Sequence, residues 1–239
     1  MIILDGGSGL RPLQTDGSDA SRIDILLSHL HMDHVQGLPF FPPLLDPEVE
    51  VHVWGPISIN RTLRERIARY LSPPLFPVRV RDLANVVFHD VVPGEFEVGA
   101  IQVTADLIAH PGSTLGYRLT EGSSVLTYMP DHEPALGNKS FPDSPEWTSG
   151  FQLAAGADVL IHDAQYEDSE YETRVGWGHS SVSHLAEFVR MTQPARLVTF
   201  HHDPSHTDTD LDGLHERLIN RVVNGTDVVP GMAGLTIDV

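Results

Sequence analysis

The stretch that decides the fold is His29-Leu30-His31-Met32-Asp33-His34, three imidazoles and a carboxylate within six residues. It follows Ile23-Asp24-Ile25-Leu26-Leu27, an apolar run that reads as a buried strand. Burying so many polar groups costs free energy unless they are paired. A pair of divalent cations would pair all of them at once. His29 and His31 alternate in an extended segment and can face one cation together. Asp33 and His34 come after the chain turns and can serve a second.

The other chemistry-bearing residues sit where strand candidates end. Short strands are expected at 1–4, 23–28, 49–54, 85–91, 101–108, 114–120, 125–128, 158–162, 196–200 and 235–239. His110, Asp131, His162 with Asp163, and His201 each close one of them. Sites in α/β sheets collect at strand ends. Helices are expected at 57–71, with Asn60 as cap, and at 181–192 and 208–223, where apolar residues share a face. Strands followed by a helix, twice over, imply two mixed β-sheets flanked by helices, an α/β fold in four layers, αββα. No linker divides the 239 residues, so a single domain over 1–239 is expected.

His110, in Ala109-His110-Pro111-Gly112, can complete the first cation's ligands and His201 the second's. His201 and His202 compete for that role, and His201 directly follows the 197–200 strand. Asp131 is the best bridge, because a carboxylate can hold one metal with each oxygen. Two metals about 3.5–4 Å apart can clamp the attacking and leaving oxygens of a displacement. With no cysteine in the chain, thiolate zinc sites are ruled out. The absence of cysteine fits a cytoplasmic location. No apolar run is long enough to span a membrane, and none is expected as a partner. The net charge is −18, from 15 basic and 33 acidic residues. That balance points away from a long nucleic acid and toward a small phosphodiester.

Leu4-Asp5-Gly6-Gly7, the hexapeptide, His110, Asp131 and His201 stand in an order that resembles the metallo-β-lactamase fold, from Asp5 to about Asp203. The resemblance implies His29, His31, His110 and Asp131 on one metal. It implies Asp33, His34, Asp131 and His201 on the other, with Asp5 steadying ligands from behind. The ions are expected to be Zn²⁺, with Mn²⁺ or Fe²⁺ also admitted by the ligands. Within the fold, the chain is similar to ribonuclease Z and the small phosphodiesterases. Leu160-Ile161-His162-Asp163-Ala164 resembles the ribonuclease Z "HEAT" segment, and Gly178-His179-Ser180-Ser181 its "HST" loop. By that resemblance His179 protonates the leaving oxygen and Asp163 orients it. In the expected reaction Asp33 accepts a proton while holding its metal. Where the family usually has Gly before the bridging Asp, this chain has Pro130. The family's N-terminal hairpin is expected to be absent. Only twenty residues separate His110 from Asp131. No long RNA-binding arm is therefore expected there, and dimers are common in this branch.

The expected function is a dinuclear metal-dependent hydrolase, a phosphodiesterase acting on a small or cyclic phosphodiester such as a cyclic nucleotide, by attack of metal-bound hydroxide. The competing readings are an acyl hydrolase of a lactone or thioester on the same site, and a non-catalytic metal-binding or sensory protein.

Overall fold

A computed structural model describes residues 1–13, 21–138, 140–223 and 225–239. The chain forms two compact units, Met1–Val92 and Pro93–Val239.

The first unit carries a four-stranded sheet in the order β1-β2-β3-β4: β1 Ile2–Leu4, β2 Arg22–Leu26, β3 Glu50–Pro56 and β4 Val86–Val91. Every pairing in it is parallel. Such strands are covered by crossover connections and read as continuous apolar runs. Ile23, Ile25, Leu27, Val51 and Val53 are essentially inaccessible and pack with Leu38, Phe41, Leu63 and Ile67. Among the described residues this unit has two α-helices, α1 Met32–Val35 and α2 Leu63–Tyr70. The cap of α2 is Thr62, not Asn60: Thr62 and Glu65 form a reciprocal capping box. Such a box satisfies two end donors at once, and residues 57–61 stay outside the helix.

The second unit carries seven strands in the order β11-β10-β9-β8-β7-β6-β5. These are β5 Gly94–Val98, β6 Ile101–Leu107, β7 Leu115–Glu121, β8 Ser124–Met129, β9 Val159–Asp163, β10 Arg196–Phe200 and β11 Asp227–Pro230. The strands β5 to β8 pair antiparallel, and β8 to β11 parallel. Its helices are α3 Phe151–Ala154, α4 Asp168–Tyr171, α5 Val182–Thr192 and α6 Asp208–Arg221. From α5 and α6, Leu185, Phe188, Val189, Leu214 and Leu218 pack with Met129, Leu160 and Leu197 of the sheet. The last strand is Asp227–Pro230, so the expected strand at 235–239 does not form. Val228 and Val229 lie beside Leu197 and Val198, and Arg196 pairs with Asp227. Among the described residues no helix is long and apolar enough to cross a membrane.

Candidate metal centre

In the first unit, β2 ends at Leu26 and the chain leaves the sheet through Ser28. His31 is still extended (φ −65°, ψ 153°), and α1 begins at Met32. The hexapeptide therefore splits into an extended half and a helical half. His29 and His34 are buried, whereas His31 and Asp33 are exposed. The ring of His29 lies 4.4 Å from that of His31 and 4.3 Å from that of His34.

Asp5 organises this group. It follows β1 with φ +60°, a conformation in which a residue other than Gly invites a functional explanation. Its carboxylate accepts from Ser28 N (2.6 Å), Ser28 Oγ (2.8 Å) and His34 Nδ1 (2.7 Å). A carboxylate only accepts, so the Nδ1 of His34 carries the proton and its lone pair lies on Nε2. That Nε2 is 3.3 Å from Asp33 Oδ2. Ser28 Oγ has one proton and spends it on Asp5. It must accept from His29 Nδ1, 3.1 Å away, which puts the lone pair of neutral His29 on Nε2 too.

In the second unit, β6 leads to His110, β8 to Asp131, β9 ends on Asp163, and β10 leads to His201. Asp131 is buried and divides its oxygens. Oδ2 lies 3.6 Å from His110 Nε2 and Oδ1 lies 3.4 Å from His201 Nε2. His110 Nδ1 donates to the carbonyl of Gly178 at 2.9 Å, again turning a lone pair to Nε2. His201 takes φ +52° as it leaves β10. His202 is directed elsewhere: it lines an apolar cavity with Leu185, Leu211 and Leu218, and burial holds its imidazole below the ordinary range.

His179 lies on the loop before α5, whose cap is Ser181. Its Nδ1 is 2.6 Å from Asp163 Oδ2. Asp163 is inaccessible and also accepts from Ser180 N and Gln165 N. Asp131, His179 and His201 each offer an atom within 4.8 Å of the others, and the rings of His179 and His201 stack at 5.1 Å. His162 is a core residue. It is fully buried, donates from Nδ1 to the Asp163 carbonyl, and pairs with the equally buried His132 at 2.8 Å. Burial pushes both imidazoles down, His132 the further.

The donor sets fit divalent cations. Nδ1 of His29, His34 and His110 is engaged by an oxygen acceptor behind it, while Nε2 of His34 faces Asp33 and Nε2 of His110 faces Asp131. Metal-binding imidazoles are held in this way. Sequence reasoning overlooked Glu133. It is buried, and its carboxylate accepts from Tyr171, Gly176 and Gly178. Its place two residues after Asp131 was the only available signal.

Residues 3–202 match the Beta-lactamase superfamily domain family. Ribonuclease Z from Myxococcus xanthus (strain DK1622) is 24% identical over 253 residues, covering 88% of this chain and 80% of its own. Among solved structures, the metallo-β-lactamase fold protein YhfI from Bacillus subtilis superposes with a TM-score of 0.71 at 17% identity, over 98% of this chain and 85% of that one. Human tRNase Z, short form, gives 0.67 at 20% identity, over 99% and 87%. These relatives overturn the expectation that no long nucleic acid is a partner. A net charge summed over the chain is silent about the local field at a site, where cations can reverse its sign. Nor does a short spacing between two ligands decide what polymer is bound. The chain belongs to the beta-lactamase superfamily and is a metal-dependent hydrolase of the metallo-β-lactamase fold.

Proposed function

We propose that the chain is a dinuclear phosphodiesterase, with residues 1–239 acting as one functional domain. His29, His31, His110 and Asp131 would hold one divalent ion. Asp33, His34, Asp131 and His201 would hold the other, and both ions are assigned as zinc. When bound, the ions would supply a nucleophile at neutral pH and offset charge on the phosphoryl oxygens. The phosphodiesters taken include small and cyclic ones such as a cyclic nucleotide.

One observation carries the reading: the 2.6 Å contact of His179 Nδ1 with Asp163 Oδ2, beside Asp131 and His201. Asp163 accepts from Nδ1 in either protonation state of the ring, so the proton that His179 can give is the one on Nε2. An alkoxide leaves poorly, and a positioned imidazolium can protonate it. A thioester hydrolase has no comparable need, because a thiolate leaves without a proton. Asp5 would support the site by holding His34, and the exposed Asp33 would accept a proton.

His179→Ala is expected to keep both ions and the fold, with some loss of stability because buried Asp163 loses a hydrogen-bond partner. It is expected to lose about 100-fold or more in kcat on a diester with an alkyl leaving group. On bis-p-nitrophenyl phosphate, whose leaving group needs no proton, the loss is expected to be roughly tenfold or less. The panel should pair these with a cyclic nucleotide, a 3′-extended RNA and a lactone, alongside metal analysis. Undiminished turnover of the alkyl diester by the variant would overturn the role of His179. Turnover of the lactone alone would favour the acyl reading, and no turnover of any substrate by the metal-loaded protein would favour the non-catalytic one.

A further inference from the structure

We propose that Glu133 is a positioning residue, a buried clamp that sets both His110 and the loop bearing His179. Its backbone N–H donates to the carbonyl of Ala109 at 2.9 Å, directly before His110. Its side chain reaches the other way. Oε1 accepts from Gly176 N at 2.8 Å and Tyr171 Oη at 2.6 Å, and Oε2 accepts from Gly178 N at 2.9 Å. Gly178 in turn accepts from His110 Nδ1. One residue therefore ties the loop over 176–178 to segment 109–110, and His179 is the next residue along.

The chemistry of the clamp is specific to a carboxylate. Three donors converge on it, two of them peptide N–H groups that cannot rotate away. A carboxylate presents about four acceptor positions, whereas an amide presents two and adds an NH₂ group. In a Glu133→Gln variant that NH₂ would face a peptide N–H. Burying a carboxylate is costly unless it is fully hydrogen-bonded. Glu133 is 2% exposed and sits in a place where a core built for packing alone would carry an apolar side chain. The backbone leaves no slack either. Gly178 has φ +89°, and a Cβ there would lie 2.5 Å from His110 Nδ1 and 2.9 Å from His110 Cα.

The turnover part of this proposal rests on the phosphodiesterase reading; the other readouts do not. In Glu133→Gln, exchange of the Gly176 and Gly178 amides, followed by mass spectrometry, is expected to quicken about tenfold or more. Affinity for zinc, measured by chelator competition on the full chain, is expected to fall about 10–100-fold, as it does when a group supporting a metal-bound His is altered. On bis-p-nitrophenyl phosphate kcat should drop about tenfold with KM within twofold, because the carboxylate of Glu133 is taken up by Tyr171, Gly176 and Gly178 and acts through His110 and His179. Glu172→Gln, an exposed neighbour, should change none of these. Unchanged exchange and zinc affinity in Glu133→Gln would overturn the proposal, whatever the enzyme hydrolyses. If the wild type hydrolyses no phosphodiester, the proposed function fails while these two readouts still decide the clamp. Should Glu133→Gln not fold, Tyr171→Phe removes one donor from the same carboxylate. Faster exchange at Gly176 in that variant supports the clamp, and exchange identical to wild type overturns it.

Discussion

Replacing Asp131 by Ala is expected to lower turnover by about three orders of magnitude or more and to leave fewer than two ions per chain. The residue follows β8 and Pro130, and it is 2% exposed. Its two oxygens are not equivalent to a capping or surface carboxylate's. One faces His110 Nε2 at 3.6 Å and the other His201 Nε2 at 3.4 Å. These separations suit donors that share a cation, and they are too long for hydrogen bonds of ordinary strength. Ala removes both oxygens from beside His110 Nε2 and His201 Nε2. Asp131→Asn is the more informative partner, since it keeps the shape but offers one oxygen and an NH₂ group that cannot bind metal. It is expected to lose nearly as much activity and at least one ion. Metal analysis on the purified variants, with kcat on bis-p-nitrophenyl phosphate, checks both. Two retained ions with activity within tenfold of wild type would remove Asp131 from its proposed role.

Much of the site was legible because its signals are local. The hexapeptide divides at Met32 as its pattern suggested: an extended stretch followed by a helix. Leu4-Asp5-Gly6-Gly7 could be placed by resemblance, and the structure supplies the physical content, a left-handed Asp5 whose carboxylate holds His34 and Ser28. His201 and His202 were harder to separate, since adjacent residues leave a strand in opposite directions. The left-handed turn at His201, which brings it to Asp131, has no sequence mark. Glu133 was illegible for a different reason. Its partners are peptide N–H groups at 176 and 178 and a phenol at 171, so side-chain type alone gives no hint of them. The strand β5 was missed because Glu95 and Glu97 flank Phe96 on an edge. There, the paired side needs few apolar residues. The expectation that no long nucleic acid is a partner failed because it used a whole-chain charge for a local question.

The expected consequence of Gly37→Ala is a loss of about 3 kcal/mol of stability or more, in the range seen when a core site is overpacked against backbone. For a chain of this size that corresponds to a fall in Tm of roughly 6–12 °C. Gly37 has an ordinary φ of −79°, so the loss is steric and not conformational. A Cβ at 37 would collide with the carbonyl oxygen of Gly7 and lie 2.9 Å from that of Gly6. Neither can yield cheaply. Gly6 O accepts from Gly37 N at 2.8 Å, and Gly6 N donates to His34 O at 2.8 Å. Gly7 is packed as tightly, with its own Cβ position 2.5 Å from Asp33 O. The Gly6-Gly7 turn is thus laid directly on the backbone of α1, and this close approach is what lets Asp5 reach His34 Nδ1. A methyl group at 37 must push the turn away, lengthening the Asp5–His34 hydrogen bond as it does so. Stability and metal affinity should therefore fall together, the second by about 10-fold or more. Thermal unfolding with and without chelator checks the pair. A Tm within about 2 °C of wild type in both conditions would show that the turn is free to move and that Asp5 does not depend on it.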